Sequence, residues 1–304
     1  MDSVLETNKL SKKYGNYFAV NQVDMHISRG DVYGYIGKNG AGKTTLMKMI
    51  CGLINPTSGS YTIFGEKNPD KARKKVGSLI ESPALYPKFT CRQNLTYYCA
   101  LHGISPSRVP DLLTYVGLSK AMDKKAQDLS LGMKQRLSIA IAILNDPEFL
   151  VLDEPINGLD PEGIMEVRNL MITLNRDRGM TILISSHILG ELEKVATRYG
   201  IISAGKIVME ASAAELEQLA GSRLFIETDN AERASELIRS RISDIDLSVE
   251  QEKSRIYLKN HEADAAAINS LLVRNDFSVS RIAEEKADIE KYFIDVTGGN
   301  TENE

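Results

Sequence analysis

No apolar run in this chain approaches the about 20 residues that a bilayer-spanning helix needs; the longest clean stretch runs only from Ile139 to Leu144. The opening residues, Met1-Asp2-Ser3-Val4-Leu5-Glu6-Thr7, lack the charged-then-apolar form of a leader. The expected location is therefore cytosolic, and work at a membrane would need another polypeptide to supply the spanning part. Cysteine is scarce: Cys51, Cys91 and Cys99 are the three in the chain, without a CxxC pair or Cys/His metal spacing. That pattern argues against a zinc module or a disulfide framework and suits buried thiols in a reducing compartment. An excess of positive charge is also missing. With 37 basic against 41 acidic residues intermixed and a net charge of -4, there is no basic field to argue for nucleic acid as the main partner.

What is present suits a globular protein: 304 residues, 42% hydrophobic, allow one large or two smaller domains with proper cores. The most informative stretch is Gly37-Lys38-Asn39-Gly40-Ala41-Gly42-Lys43-Thr44-Thr45, which fits the phosphate-loop pattern. Glycine is needed there because successive backbone N–H groups must reach phosphate oxygens through turns in which a Cβ would clash. Lys43 supplies a point charge for β- and γ-phosphates, and Thr44 a hydroxyl for Mg²⁺. The flanks agree with this reading. Asp31 to Ile36 reads as a buried strand, and Thr45 to Cys51 as a helix whose N-terminal dipole faces the phosphates.

Before the loop, residues 4 to 10 and Tyr17 to Ile27 carry strand-like alternation, interrupted at Lys12-Lys13-Tyr14-Gly15-Asn16. Tyr14 is placed either to stack on adenine or to pack at a hairpin edge. After it, Tyr61 to Gly65 reads as a short strand, Lys71 to Lys75 as a solvated helix face, and Pro83 to about Asp146 as a helical insertion. Phe149-Leu150-Val151-Leu152-Asp153-Glu154 is a fully buried parallel strand delivering two carboxylates at its C-terminal edge, where ligands bind. Asp153 is the candidate for holding Mg²⁺, and Glu154 is placed to polarise an attacking water. A second buried strand, Met180 to Ser186, ends in His187, which from such a position can reach a γ-phosphate. Beyond Gly221 the order strand, helix, strand, strand, helix, strand over 223–297 predicts a small ferredoxin-like α+β domain without a catalytic constellation. A last helix is expected near Asp288 to Phe293, and residues 298–304 read as a frayed tail.

Together these motifs resemble the ATP-binding subunit of an ABC transporter, over the whole of residues 1–220. The loop from Gly37 to Thr45 corresponds to Walker A, Tyr14 to the adenine-stacking aromatic, and Leu150 to Glu154 to Walker B. Asn157-Gly158-Leu159-Asp160 is similar to the D-loop, and His187 sits at the place of the switch histidine. Leu129-Ser130-Leu131-Gly132-Met133 occupies the place of the signature, usually Leu-Ser-Gly-Gly-Gln. The resemblance implies an α/β P-loop NTPase with a helical subdomain at about 83–146, and ATP and Mg²⁺ as cofactors. Ser130 and Gly132 would face the phosphate loop of a second copy, so that ATP is sandwiched between two subunits.

Two departures stand out: Leu131 and Met133 replace Gly and Gln, and Glu81 stands at the usual Q-loop glutamine, where it is expected to serve as a Mg²⁺ ligand. A glutamate there, with Leu-Ser-Leu-Gly-Met, resembles the bacitracin-resistance and lantibiotic-immunity branch. That implies an ATPase at the inner face of the cell membrane, energising a separate integral membrane permease that exports a peptide antibiotic. Export of Na⁺ or lipid is the alternative within the class. A soluble DNA-maintenance or ribosome-associated ATPase would carry a long coiled coil or two nucleotide-binding domains, and neither is in the sequence.

Overall fold

The computed structural model describes residues 3–81, 85–220, 222–242, 245–251, 254–258 and 264–286. β1 (Ser3–Tyr14) turns at Gly15-Asn16 into β2 (Tyr17–Val23), and β3 (His26–Ser28) pairs antiparallel with the start of β1. β4 (Val32–Ile36) follows, with all five residues buried, and the phosphate loop carries it into α1 (Lys43–Ile50). β5 (Ser58–Ile63) returns to pair antiparallel with β1.

The chain continues through α2 (Pro69–Ala72) and β6 (Val76–Leu79) into three helices, α3 (Cys91–His102), α4 (Val109–Tyr115) and α5 (Leu131–Ala142). Their ends are written in the sequence. Thr90 and Gln93 form a reciprocal cap at the start of α3, Gly103 ends it in the left-handed conformation, and Ser130 caps α5. β7 (Phe149–Leu152) and α6 (Pro161–Arg178) come next; Asp160 caps α6, Pro161 opens it and left-handed Gly179 closes it. β8 (Thr181–Ser186), α7 (Leu189–Leu192), β9 (Arg198–Ser203), β10 (Lys206–Ser212) and α8 (Ala213–Ala220) follow.

The second sheet has the order β10-β9-β4-β8-β7-β6, parallel except for β10. β4, β7 and β8 are buried throughout, which explains why they read as continuous apolar runs and not as alternating ones. Ile36 is level with Ser186, and Leu152 with Ile184, so the three strands release their next residues along one edge.

The chain divides into two compact units, 1–213 and 214–304. The second contains β11 (Ser222–Thr228), α9 (Ala231–Arg241), β12 (Leu247–Glu250), β13 (Arg255–Leu258), α10 (Ala265–Arg274) and β14 (Val279–Lys286). Its antiparallel sheet is ordered β12-β13-β11-β14, around a core of Ile226, Ile238, Ile256, Leu258, Ile268 and Leu272.

Three expectations are corrected. β1 runs unbroken to Tyr14, because Lys12, Lys13 and Tyr14 pair with β2. The segment Lys71 to Lys75 is no single solvated helix: α2 ends at Ala72, a 3₁₀ turn follows, and Arg73 points inward to donate to the Ile50 carbonyl and the Tyr61 hydroxyl. β6 was not anticipated; its Val-Gly-Ser-Leu has too little apolar character to read as a strand, and its pairing with β7 defines it. The helix expected near 288–293 and the tail at 298–304 lie outside the described residues.

Within the helical segment, Asn94 is fully buried, and its amide accepts from Tyr86 N and donates to the carbonyls of Tyr86, Phe89 and Thr90. One side chain thus holds the loop that presents the half-exposed rings of Tyr86 and Phe89. Asn94→Ala leaves several buried polar groups unpaired and is expected to lower stability by about 2–3 kcal/mol, read as a shift of the urea unfolding midpoint.

Candidate active site

The phosphate loop is pinned from two sides. Gly42 has φ 108°, and a Cβ there would lie 2.1 Å from the Ala19 carbonyl oxygen. A Cβ on Gly37 would lie 2.5 Å from the Ile202 carbonyl oxygen. The loop therefore runs against β2 and β9 at a distance only glycine permits. Gly37 N also donates to the Ser186 carbonyl at 3.3 Å, tying the loop to the end of β8. At the start of α1 no side chain caps the helix, so its first N–H groups are left to face an anion.

Lys43 is 5% exposed, and its Nζ donates to the carbonyls of Gly37 at 2.6 Å and Lys38 at 3.3 Å. It lies 3.2 Å from Glu154 Oε1. Asp153, 6% exposed, accepts the Thr44 hydroxyl at 2.8 Å on Oδ2 and the Ser185 hydroxyl at 2.6 Å on Oδ1. Glu154 has φ 47°, an uncommon conformation for a non-glycine residue, and its N–H donates to Ser185 Oγ at 2.8 Å. Its Oε2 is 2.9 Å from His187 Nδ1. A carboxylate can only accept, so Nδ1 carries the proton in this contact and His187 steers the Glu154 carboxylate. Glu154 Oε1 is buried, and the Lys43 ammonium faces it as an ion pair.

A pocket of about 430 Å³ opens between these groups and the first hairpin, lined by residues that include Asn39, Gly40, Lys43, Thr44, Thr45 and Glu154. Tyr14 is on its rim, and so is Tyr17, which the sequence alone placed in a strand. The two tyrosines face each other across the hairpin end, and both are half-exposed. Register across a Gly-Asn turn is the signal that could have found Tyr17.

The cradle fits a nucleotide triphosphate tail, with glycine backbone at contact distance, an uncapped helix start and a buried ammonium. It also fits Mg²⁺. Thr44 donates its proton to Asp153, which leaves the hydroxyl lone pairs for a cation, and one carboxylate with one hydroxyl is the sparse protein set that suits a metal completed by water and phosphate. Among the described residues no cluster of three His, Cys, Asp or Glu side chains forms a dedicated metal cage.

Glu81 is arranged otherwise than expected of a metal ligand. Its backbone has φ 61°, its side chain is 61% exposed, and its carboxylate pairs with Lys48 Nζ at 2.5 Å. Among the described residues no hydrogen bond or ion pair joins it to Thr44 or Asp153. Ser130 accepts from Met133 N at 3.3 Å, and Asp160 from Gly163 N at 2.9 Å, each capping its own helix. A Cβ on Gly132 would lie 3.4 Å from the Gly163 Cα, so the starts of α5 and α6 are packed together. Neither start lines the phosphate-loop pocket. The cysteines stand apart from the chemistry: Cys91 and Cys99 are buried, and burial pushes the Cys51 thiol up to about 11.

A glycine cradle at the end of β4, a buried lysine and two carboxylates directly after β7, the next strand but one, define a P-loop nucleotide-binding ATPase. Residues 20–157 match the family model described as ABC transporter. The chain is 40% identical to the bacitracin transport ATP-binding protein BcrA of Enterococcus faecalis over 98% of both chains, and 39% identical to BcrA of Bacillus licheniformis over 99% of both. It is 42% identical to the lantibiotic transport ATP-binding protein SrtF of Streptococcus pyogenes over 74% of this chain and 99% of that one. A solved ATP-binding subunit of an ABC transporter superposes with a TM-score of 0.62 at 30% identity, covering 71% of this chain and 92% of that one. The chain belongs to the ABC transporter ATP-binding proteins, and its chemistry is that of an ABC transporter ATPase.

Lys43→Ala deletes the buried ammonium of the loop and is expected to weaken binding of a fluorescent ATP analogue by about 100-fold. Glu154→Gln keeps the shape of the side chain but removes the carboxylate charge that faces Lys43 and His187. Its nucleotide binding should stay within about threefold, while phosphate release falls by about 100-fold or more.

Proposed function

We propose that this protein is the ATP-hydrolysing subunit of an exporter that removes a peptide antibiotic of the bacitracin type. The observation that carries the reading is the extent of the likeness. The bacitracin relatives align over essentially the whole chain, both units included, whereas the lantibiotic relative aligns over 227 residues, 74% of it. The second unit is thus a feature shared in length with the bacitracin proteins. Its β-α-β-β-α-β order and antiparallel sheet support a ferredoxin-like accessory domain that tunes the assembly and carries no ATP chemistry.

ATP binds in the phosphate loop with its base against Tyr14 or Tyr17. Thr44 and Asp153 would hold Mg²⁺, which would supply positive charge to the phosphate oxygens. Lys43 takes the β- and γ-phosphates, Glu154 polarises the attacking water, and His187 orients that carboxylate. Glu81 would have to release Lys48 before its carboxylate could serve a metal. Ser130, Gly132 and Asp160 lie at helix starts outside the pocket of their own chain, which supports their service to the ATP of a second copy. The subunits work at the inner face of the cell membrane. Among the described residues no helix is long and apolar enough to cross a membrane; in this reading a separate integral permease supplies the conducting part.

Two measurements test this. In light scattering, Glu154→Gln is expected to pass from monomer to dimer when millimolar MgATP is added; a monomer throughout would sink the shared-site reading. In the native host, removing the protein should raise bacitracin sensitivity several-fold, with rescue by the wild-type chain and none by Glu154→Gln. Unchanged bacitracin sensitivity with altered tolerance of Na⁺ would point to another cargo.

A further inference from the structure

The hydroxyl of Ser185 sits where the two acidic residues of the site meet. Ser185 is fully buried in β8, two residues before His187, and the sequence reading gave it no role. Its Oγ is 2.6 Å from Asp153 Oδ1 and 2.8 Å from Glu154 N. A serine hydroxyl has one proton and two lone pairs. A backbone N–H can only donate, so Oγ accepts from Glu154 and its own proton is committed to Asp153. The direction of the hydroxyl is fixed by its surroundings.

Two consequences follow for the site. Asp153 has one oxygen held by Ser185 and the other by Thr44, which sets the plane of the carboxylate and the rotamer of the threonine. Glu154 sits at φ 47°, and the hydrogen bond from its N–H to Ser185 helps hold that backbone in place. We infer that Ser185 is a positioning residue for this ATPase: its one hydroxyl orients Asp153 toward the metal and fixes the peptide that carries the water-polarising Glu154. The inference rests on the ATPase and metal assignments of the site and is independent of the cargo.

The test uses Ser185→Ala with the equal-shaped pair Ser185→Thr and Ser185→Val, which differ from each other in the hydroxyl alone. Binding of a fluorescent ATP analogue is measured in EDTA and in Mg²⁺, alongside kcat and KM, after circular dichroism and thermal melting have established folding. The Ala and Val variants are expected to keep their metal-free affinity within about twofold and to lose about tenfold of the gain that Mg²⁺ brings, the scale of effect for a group that orients a metal ligand. Their kcat should fall and their KM for MgATP should rise in step with the lost Mg²⁺ gain, while the Thr variant stays close to wild type. Folded Ala and Val variants with wild-type Mg²⁺ gain and kcat would overturn the inference, as would a Thr variant as impaired as Val. Equal loss with and without metal would mean a disturbed loop, and also overturns it. A wild-type protein whose affinity ignores Mg²⁺ would overturn the metal assignment of the site and the role of Ser185 with it.

Discussion

A carboxylate almost wholly removed from water must be satisfied from inside the protein, and Asp153 is such a group. Its two oxygens take hydroxyl protons from Thr44 on α1 and Ser185 on β8, while the residue itself follows directly on β7. Three elements that are distant in sequence are thereby held at one point. Leaving one of those acceptors unpaired would cost about 1–3 kcal/mol or more, so the contact fixes local geometry as well as chemistry. The phosphate loop adds the second constraint, since its glycines sit against the Ala19 and Ile202 carbonyls and cannot retreat. Between them, the half of the site around Asp153 and the half around the loop glycines have little freedom to drift apart.

The parts of this arrangement that depend on local sequence were legible. Five wholly buried residues in β4 and four in β7 read as apolar runs, and the loop after β4 carries its glycines at fixed spacing. Caps such as Thr90 with Gln93 and Asp160 with Pro161 mark helix starts in the sequence itself. What escaped notice depends on partners far along the chain. β6 is a strand because β7 pairs with it, and Arg73 turns inward because the Ile50 carbonyl and the Tyr61 hydroxyl await it. Ser185 looks like the polar end of a strand until Asp153 is placed beside it. Glu81 was expected at Mg²⁺ from its place at the usual Q-loop glutamine, whereas its carboxylate is held by Lys48, 33 positions earlier.

The two units show different physical characters. The first gathers a buried carboxylate, a buried ammonium and a partly exposed imidazole at one sheet edge, and there the backbone takes an uncommon conformation at Glu154. The second spends its buried surface on aliphatic packing between two helices and one sheet face. On the other face, Phe225 lies between the guanidiniums of Arg255 and Arg281, each 5.1 Å from its ring, and Arg255 is also paired with Glu227. Such contacts stabilise a small sheet without demanding titratable chemistry, in keeping with a unit that lacks a reactive constellation among its described residues.

Leu131, at the first position of α5, stands where the related signature usually has glycine and is 49% exposed. Leucine favours the helical state over glycine by about 1 kcal/mol, because the extended chain has fewer alternatives to give up. The start of α5 is therefore stiffened in advance, at the end that carries Ser130 and Gly132. Whatever docks on that surface meets a finished shape, and little of the association free energy is consumed in ordering it.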